Sequence, residues 1–524
     1  MNIAEVLCGY AASRPTAPAI VDVHGGRARI LSFSELEAES GRAATLLEAS
    51  GLRAGDGVLI FHPMSAELYT ALIGAFRLGA IPMFLDPSAG REHIEGCCEA
   101  WPPRALVASA KTHLLRFMSH ALRTIPLKFS IGMGVPGAIS WGRTSSLAPT
   151  APTAAVASDA PALITFTSGS TGIPKAAVRT HGFLLEQHRV LAENLRLAPG
   201  DLDLTTLPIF VLANLGSGVC SLLPHADLRN PGAIEPGLVI EQIRIHKPSR
   251  VTASPAFLER LANFCLRKNL QLSGIRNIFV GGAPVFPNLL RKLHRIASKA
   301  EITSVYGSTE AEPIAEIAYS DIEARDFESM IRGGGLLAGA PVSQIRLAVI
   351  EDKWGKSIAP LTEKQFHVAF MPAGKAGEIV VSGAHVLPGY LGGTGDSETK
   401  FDVDGARWHR TGDAGFLDSN GRLWLLGRCD ARIEDEHGVL FPFAVECAAQ
   451  QIPGIRRATV VAHQGQRLLA VELDRGAGAA VVTRLQLHIA WASINVVRVL
   501  PRIPVDRRHN AKINYPELRA LLER

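Results

Sequence analysis

The densest chemistry in the chain stands at residues 167–175, Thr-Ser-Gly-Ser-Thr-Gly-Ile-Pro-Lys. Hydroxyl groups on Thr167, Ser168, Ser170 and Thr171 are interleaved with Gly169 and Gly172. A loop of this kind turns many N–H and O–H groups toward one anion, and its glycines let the backbone come close without a Cβ in the way. Lys175 adds a mobile positive charge. The chemistry is that of a phosphate cradle, although the G-x-x-x-x-G-K-[ST] order of a P-loop is missing. The plainer alternative is a polar surface turn. Against it, the run follows residues 162–167, an apolar, β-branched stretch that reads as a buried strand.

A second cluster lies at residues 302–311, Ile-Thr-Ser-Val-Tyr-Gly-Ser-Thr-Glu-Ala. A strand delivers Tyr306, whose flat face suits stacking on a purine. Gly307 then makes a turn, and Ser308, Thr309 and Glu310 present oxygens. Thr309 is placed to hydrogen-bond an α-phosphate or a substrate carboxylate. Glu310 is placed to hold Mg²⁺, a hard ion that takes phosphate oxygens and few protein carboxylates. Upstream, the strand at 277–280 ends in Gly281-Gly282-Ala283-Pro284. The carboxyl end of a parallel strand is where open α/β sheets place ligands.

These groups need a scaffold of alternating strands and helices. Ser34-x-x-Glu37 is a capping-box pattern opening a helix with Leu36, Ala43, Leu46 and Leu47 on one side. Residues 58–61 read as a strand. Ser65 caps a second helix carrying Leu68, Leu72 and Phe76, which Gly79 ends. Another strand begins at residues 80–85. This order implies parallel pairing with right-handed crossovers. Residues 143–161, rich in Ala, Pro, Ser and Thr, read as an exposed connector. Residues 181–196 suit a helix starting near the cradle, with its dipole adding to anion binding. Residues 207–216 read locally as a core strand with a Gly turn, and residues 241–258 as helix, strand and helix.

The 524 residues suffice for two or more domains. Hydrophobic residues at 47% and charged residues at 20% fit a soluble globular protein. The net charge of +5 is small, with no basic block, which excludes nucleic acid as the main partner. Cys8, Cys97, Cys98, Cys220, Cys265, Cys429 and Cys447 are odd in number and hold no C-x-x-C pair, which points to a reducing compartment rather than disulfides or zinc. The N-terminal residues lack a signal-peptide pattern and no apolar run reaches membrane-span length. A cytoplasmic protein is expected.

In order and spacing these motifs resemble the adenylate-forming superfamily of acyl-AMP synthetases, luciferases and peptide-synthetase adenylation domains. The superfamily loop [ST]-S-G-[ST]-T-G-x-P-K-G is matched except for Ala176 in place of Gly. Its Y-G-x-T-E is matched by Tyr306, Gly307, Thr309 and Glu310, and its T-G-D by residues 411–413. Glu378-Ile-Val-Val-Ser-Gly383 and Pro388-Gly-Tyr-Leu391 fit two further elements. The resemblance runs from about residue 30 to 520. It implies an α/β fold: a large N-terminal domain of layered α/β subdomains, 1–429, plus a small mobile α+β domain, 430–524, hinged at Asp430. It implies ATP and Mg²⁺, and a carboxylic acid as the small-molecule partner. Residues 167–172 and Lys175 then hold the phosphates, Gly281, Gly282, Ala283 and Tyr306 lie at the adenine, and Gly307 and Ser308 belong to the same ATP site. Asp413 takes the ribose hydroxyls, and Arg428 the ribose and a phosphate. Lys512 matches the catalytic lysine that stabilises the carboxylate–phosphate transition state; Asn510-Ala511 precede it where x-G is usual. The acyl pocket is bordered by Phe210, Val211 and Asn214, with Val211 standing where a His is usual, so the wall is apolar and suits an aliphatic substrate.

Two departures bear on the branch. Glu434 stands where CoA ligases carry Lys, and with Asp435 and Glu436 it would repel the phosphates of CoA. Residues 252–258, 306–315 and 504–513 are similar to the β-lactone synthetases of olefin and β-lactone biosynthesis. In that branch a β-hydroxy acid is adenylated and its own hydroxyl displaces AMP, with no CoA. An acyl-CoA or acyl-carrier ligase, and a non-catalytic nucleotide- or acyl-binding relative, are the competing readings. Association with other enzymes of its pathway stays open.

Overall fold

The computed structural model describes residues 1–24, 27–85, 90–149, 151–168, 174–505 and 513–523. By contacts the chain divides into two compact units, 1–225 with 389–396, and 226–388 with 397–524.

The first unit holds a seven-stranded sheet. Its strands run, from one edge, Ile139–Ser140, Leu127–Ile131, Ala105–Ser109, Gly57–Phe61, Ile81–Phe84 and Pro161–Ser168, all parallel. Pro174–Thr180 closes the other edge, antiparallel to Pro161–Ser168. Such strands, covered on both faces, read as apolar runs, and Val58, Leu59 and Ile60 are buried accordingly. A further set pairs Leu202–Thr205, Cys220–Leu222 and Pro18–His24 in parallel, with Arg27–Ser32 antiparallel at the end.

The first long helix is Phe33–Ala49. Its capping box is Ser32 with Glu35, two residues before the expected Ser34 and Glu37. Both pairs fit the S-x-x-E pattern. The earlier start prevails because Phe33 is then buried, and the N–H groups of Phe33 and Ser34 donate to the carbonyls of Ala17 and Pro15. The next helix, Ala66–Leu78, is capped by Ser65 and ended by Gly79 as expected. The short helix Ile3–Leu7 is pinned by His181, whose Nδ1 accepts the Ile3 N–H at 3.2 Å.

In the second unit the strands Arg250–Ala253, Asn277–Val280 and Glu301–Ser308 are parallel. The sheet continues antiparallel through Ala311–Ala318, Leu336–Pro341, Leu423–Arg428, Ala406–Leu417, Gly377–Ser382 and Arg346–Ile350. The C-terminal residues add the hairpin Ile433–Asp435 with Gly438–Leu440, the helix Pro442–Ala449, and a three-stranded sheet of Ile455–His463, Gln466–Leu473 and Val496–Val499. Val445, Val460, Leu469 and Leu485 make this segment's own core. Among the described residues no helix is long and apolar enough to cross a membrane. All seven cysteines are free thiols.

His181 gives the fold a measurable pH dependence. It is fully buried, and burial first, then the N-terminal ammonium, lower its pKa from 6.5 to about 4. The unfolded chain therefore binds a proton that the folded chain refuses between these values. The stability from this site is complete above about pH 6.5 and is lost as the pH falls toward 4. His181→Asn keeps an acceptor for Ile3 but cannot titrate. Its melting temperature should fall less steeply over that pH window than that of the parent, and an identical slope would remove His181 as a source of acid lability.

Candidate active site

Tyr306, Asp413 and Arg428 come together. Tyr306 lies on the strand Glu301–Ser308, and its hydroxyl donates to Asp413 Oδ2 at 2.7 Å. Asp413 lies on Ala406–Leu417, in register opposite Arg428 at the end of Leu423–Arg428. Arg428 Nη1 donates to Asp413 Oδ1 at 3.1 Å and to the Thr411 carbonyl at 3.0 Å. The carboxylate is thus fixed on both oxygens, yet each oxygen keeps a lone pair for a ligand. Burial and the Asp413 charge push the Tyr306 phenol well above its usual pKa, so it stays a donor. Asp413 sits within a continuous strand and not at a turn. Gly412, just before it, has a φ of +68° in the left-handed region.

The turn expected at Gly307 falls two residues later. The strand runs through Gly307 and Ser308, with a register shift between Tyr306 and Ser308, and the two-residue turn is Thr309-Glu310. Ser308 Oγ accepts the Glu310 N–H at 3.2 Å. The Glu310 carbonyl accepts the Leu387 N–H at 2.7 Å, and the buried Lys400 donates to the Leu387 carbonyl. His409, paired in register with Lys400, is also buried; burial first and then Lys400 lower its pKa to about 3 while the Glu310 charge opposes them. The imidazole is neutral beside Glu310. Nothing in sequence spacing pointed to Lys400 or His409, since 400 and 409 become neighbours only through strand pairing. Among the described residues no group of three or more His, Cys, Asp or Glu side chains is arranged to hold a metal. One carboxylate on a turn therefore fits an ion carried mainly by phosphate oxygens, as Mg²⁺ is, and does not fit an all-protein cage.

Gly281, Gly282 and Ala283 follow the strand Asn277–Val280 at its carboxyl end, as expected, with Gly282 at φ +83°. Thr167 and Ser168 end the strand Pro161–Ser168, with Thr167 in register opposite Lys175. Gly169, Ser170, Thr171, Gly172 and Lys512 lie outside the described residues. Lys175 is not the mobile charge expected. Its side chain is buried, with Nζ 5.8 Å from the Tyr390 ring centroid and a neighbouring Gly395 on which a Cβ would lie 2.5 Å from Nζ. Ala176, where the superfamily has Gly, packs into the core beside Phe166 and Ile164. The helix expected to begin near the cradle is His181–Asn194, but the strand Pro174–Thr180 intervenes. That strand spans roughly 20 Å at ~3.3 Å per residue, beyond the last turn over which a helix dipole acts.

Residues 208–216 form the helix Pro208–Gly216 and not a strand, with Pro at its first turn. Phe210, Val211 and Asn214 are all buried. Asn214 Nδ2 donates to Asp203 at 3.0 Å and to Ser221 at 3.1 Å, so this amide is engaged by the neighbouring strands. Asp430 is exposed in the short 3₁₀ turn Cys429–Ala431. In the acidic segment, Glu434 and Glu436 have side chains 71% and 87% exposed. Asp435 differs: the buried Arg467 grips it bidentately at 2.6 and 2.7 Å and holds its carboxyl below the usual range. Two of the three acids therefore face solvent, Glu434 with Arg432 at 3.9 Å and Glu436 with His437 at 3.7 Å, and the third is a structural tie.

A family model described as AMP-binding enzyme matches residues 9–391. The olefin β-lactone synthetase of Stenotrophomonas maltophilia (strain K279a) is 28% identical, covering 93% of this chain and 90% of that protein. Its namesake from Xanthomonas campestris pv. campestris is 29% identical, covering 99% and 96%. Among solved structures, the anthranilate CoA ligase AuaEII in complex with anthranoyl-AMP superposes with a TM-score of 0.84 at 18% identity, covering 100% of this chain and 97% of that one. That likeness shows the α/β fold of adenylate-forming ligases. The chain belongs to the AMP-binding enzyme family and is an AMP-forming ligase, an enzyme that activates an acid through ATP.

Proposed function

We propose that the protein adenylates an aliphatic β-hydroxy acid and then closes the acyl-AMP to a β-lactone. The observation that carries this reading is the pair of olefin β-lactone synthetases aligned along 93% and 99% of the chain. The solvent-facing Glu434 and Glu436 support it, because they would repel the phosphates of CoA. So does Val211 in the Pro208–Gly216 helix, which leaves that position apolar.

In the first step a carboxylate oxygen of the acid attacks the α-phosphorus of ATP and pyrophosphate leaves. In the second, the substrate's own β-hydroxyl oxygen attacks the acyl carbon. The acyl–phosphate bond breaks, AMP departs and the hydroxyl proton is released, so the product is the acid less one water. Asp413 is assigned to the ribose, Arg428 to the ribose and a phosphate, and Gly281, Gly282, Ala283 and Tyr306 to the adenine. Residues 167–172 and Lys175 are assigned to the phosphates, Gly307 and Ser308 to the ATP site, and Thr309 to the α-phosphate or the carboxylate. Glu310 is the protein's ligand for Mg²⁺, which when bound supplies charge neutralisation at the phosphate oxygens. Lys512 binds the charge that develops between carboxylate and phosphate. Phe210 and Val211 belong to the acyl wall, with Asn214 fixing that helix on its strands. Residues 430–524 are assigned as the small mobile domain, turning at Asp430. The cytoplasm suits seven free thiols.

Lys512→Ala should lower ATP–pyrophosphate exchange by about 10²-fold or more while ATP still binds; unchanged turnover would remove the lysine from the reaction. Glu310→Gln should move the Mg²⁺ titration of that exchange to higher concentration, and an unaltered titration would count against the metal role. The deciding assay is mass spectrometry of products from MgATP and racemic 2-alkyl-3-hydroxy acids, with and without CoA. A product lighter than the acid by one water, formed without CoA, is expected. A thioester formed only with CoA would make the protein an acyl-CoA ligase, and no exchange with any acid would make it a non-catalytic relative.

A further inference from the structure

Trp354 lies in the loop after the strand Arg346–Ile350, in the second unit. Its backbone N–H donates to Asp352 Oδ1 at 2.9 Å, and Asp352 is itself ion-paired with Arg432. The indole packs on the small cluster of Ala414, Leu426, Cys429 and Ala444. Two guanidinium groups lie against its ring: Arg410 Cζ is 5.4 Å from the ring centroid and Arg428 Cζ is 5.8 Å away.

The two arginines are unequal. Arg410 is immobilised. Its Nε and Nη2 donate to Glu378 at 2.9 and 2.6 Å, its Nη1 donates to the Glu398 carbonyl at 3.2 Å, and both partners of the pair are 0% exposed. Arg428 is 49% exposed in its side chain and holds Asp413 and the Thr411 carbonyl through a single nitrogen, Nη1. A long, half-exposed side chain held at one nitrogen keeps much of its rotamer freedom unless its flat face is supported. The indole supplies that support. Two cations on one ring would repel, but Arg410 arrives neutralised by Glu378 and Arg428 by Asp413. Gly412 keeps the space open: a Cβ there would lie 2.7 Å from Arg428 Nη2 and 2.8 Å from Trp354 Cη2.

We infer that Trp354 is a positioning residue of the nucleotide subsite: its indole fixes the plane of Arg428, so that the Asp413–Arg428 pair is already arranged when ATP binds. The inference rests on the assignment of Asp413 and Arg428 to the nucleotide. Trp354 acts through Arg428 and touches no group of the reaction itself. Removing the ring therefore weakens ATP binding by loosening a preformed pair, without deleting a group that the reaction needs.

The test is calorimetric titration of the full-length protein with ATP and Mg²⁺, together with its melting temperature. Trp354→Ala should weaken ATP binding by about 3- to 30-fold, the range of a cation–π contact, while the melting temperature of the unliganded protein stays near that of the parent. Trp354→Phe, which keeps a π face, should recover most of the affinity. Asp413→Asn should weaken binding too, and adding Trp354→Ala to it should cost little more, since both act on one pair. Unchanged affinity in Trp354→Ala beside weakened affinity in Asp413→Asn would overturn the inference alone. So would a Trp354→Ala protein that melts much earlier and is not rescued by Phe, which marks a packing residue. Unchanged affinity in both single variants would overturn the nucleotide assignment of the pair itself.

Discussion

The arrangement of Tyr306, Asp413 and Arg428 depends on one buried ion pair, Arg410 with Glu378. Two charges removed from water cost several kcal/mol each, and only close, multiply bonded geometry offsets this. Here the fork of Arg410 meets both oxygens of Glu378, and backbone carbonyls take its remaining nitrogen. The pair also fixes register. Glu378 and Arg410 stand on the adjacent strands Gly377–Ser382 and Ala406–Leu417, and a slip of one residue would turn each side chain to the opposite face. Three residues beyond Arg410 the same strand presents Asp413, with the left-handed Gly412 between them. A carboxylate that must be aimed is thus placed by a neighbour that cannot move.

The chemistry was more legible in the sequence than the geometry. Tyr306, Asp413 and Arg428 were each identified by a local motif, but nothing in those motifs says that they touch. Asp413 meets Arg428 through the pairing of their strands, and Tyr306 reaches Asp413 from a strand 107 positions away, and no local pattern encodes either contact. The parallel strands were readable because burial on both faces leaves a continuous apolar run, and the helix caps because their hydrogen bonds span only three residues. Misplacements arose where local signals compete. Ser32 and Ser34 offer the same capping pattern, and the choice was made by distant carbonyls at residues 15 and 17. Residues 208–216 are apolar at nearly every position, a pattern that fits a buried strand or a buried helix equally; Pro208 at the first turn was the one asymmetric sign. Trp354 left a weaker trace, an aromatic inside a polar, Gly-containing loop.

The acidic segment at 434–436 shows how a sequence-level charge argument has to be divided once partners are known. Asp435 is held by Arg467, which also binds the carbonyls of Gly438 and Ala492 and so closes the hairpin onto the C-terminal core. Its charge is spent internally. Glu434 is within 3.9 Å of Arg432 only at the edge of salt-bridge distance, and Glu436 faces a histidine that is charged only when protonated. A repulsive field toward a polyanion therefore rests on two residues, and it is weakened by salt because both are exposed.

Adenylation and the proposed lactone closure place different demands on a chain, and motifs are expected for the first and not for the second. Adenylation needs groups that contact phosphate, ribose and base, and each has a preferred residue type. Closure adds no reactant: the nucleophile is already covalently attached to the acyl carbon, and bringing it near is a matter of substrate conformation. For a chain that catalysed such closure, as proposed for this one, the task would be to exclude competitors, namely water and external thiols. An apolar residue in place of a polar one, as at Val211, and acid in place of base, as at Glu434, are the expected forms of such exclusion. Residues in such a role would work through the interactions they prevent, and so would leave departures from a pattern and no pattern of their own.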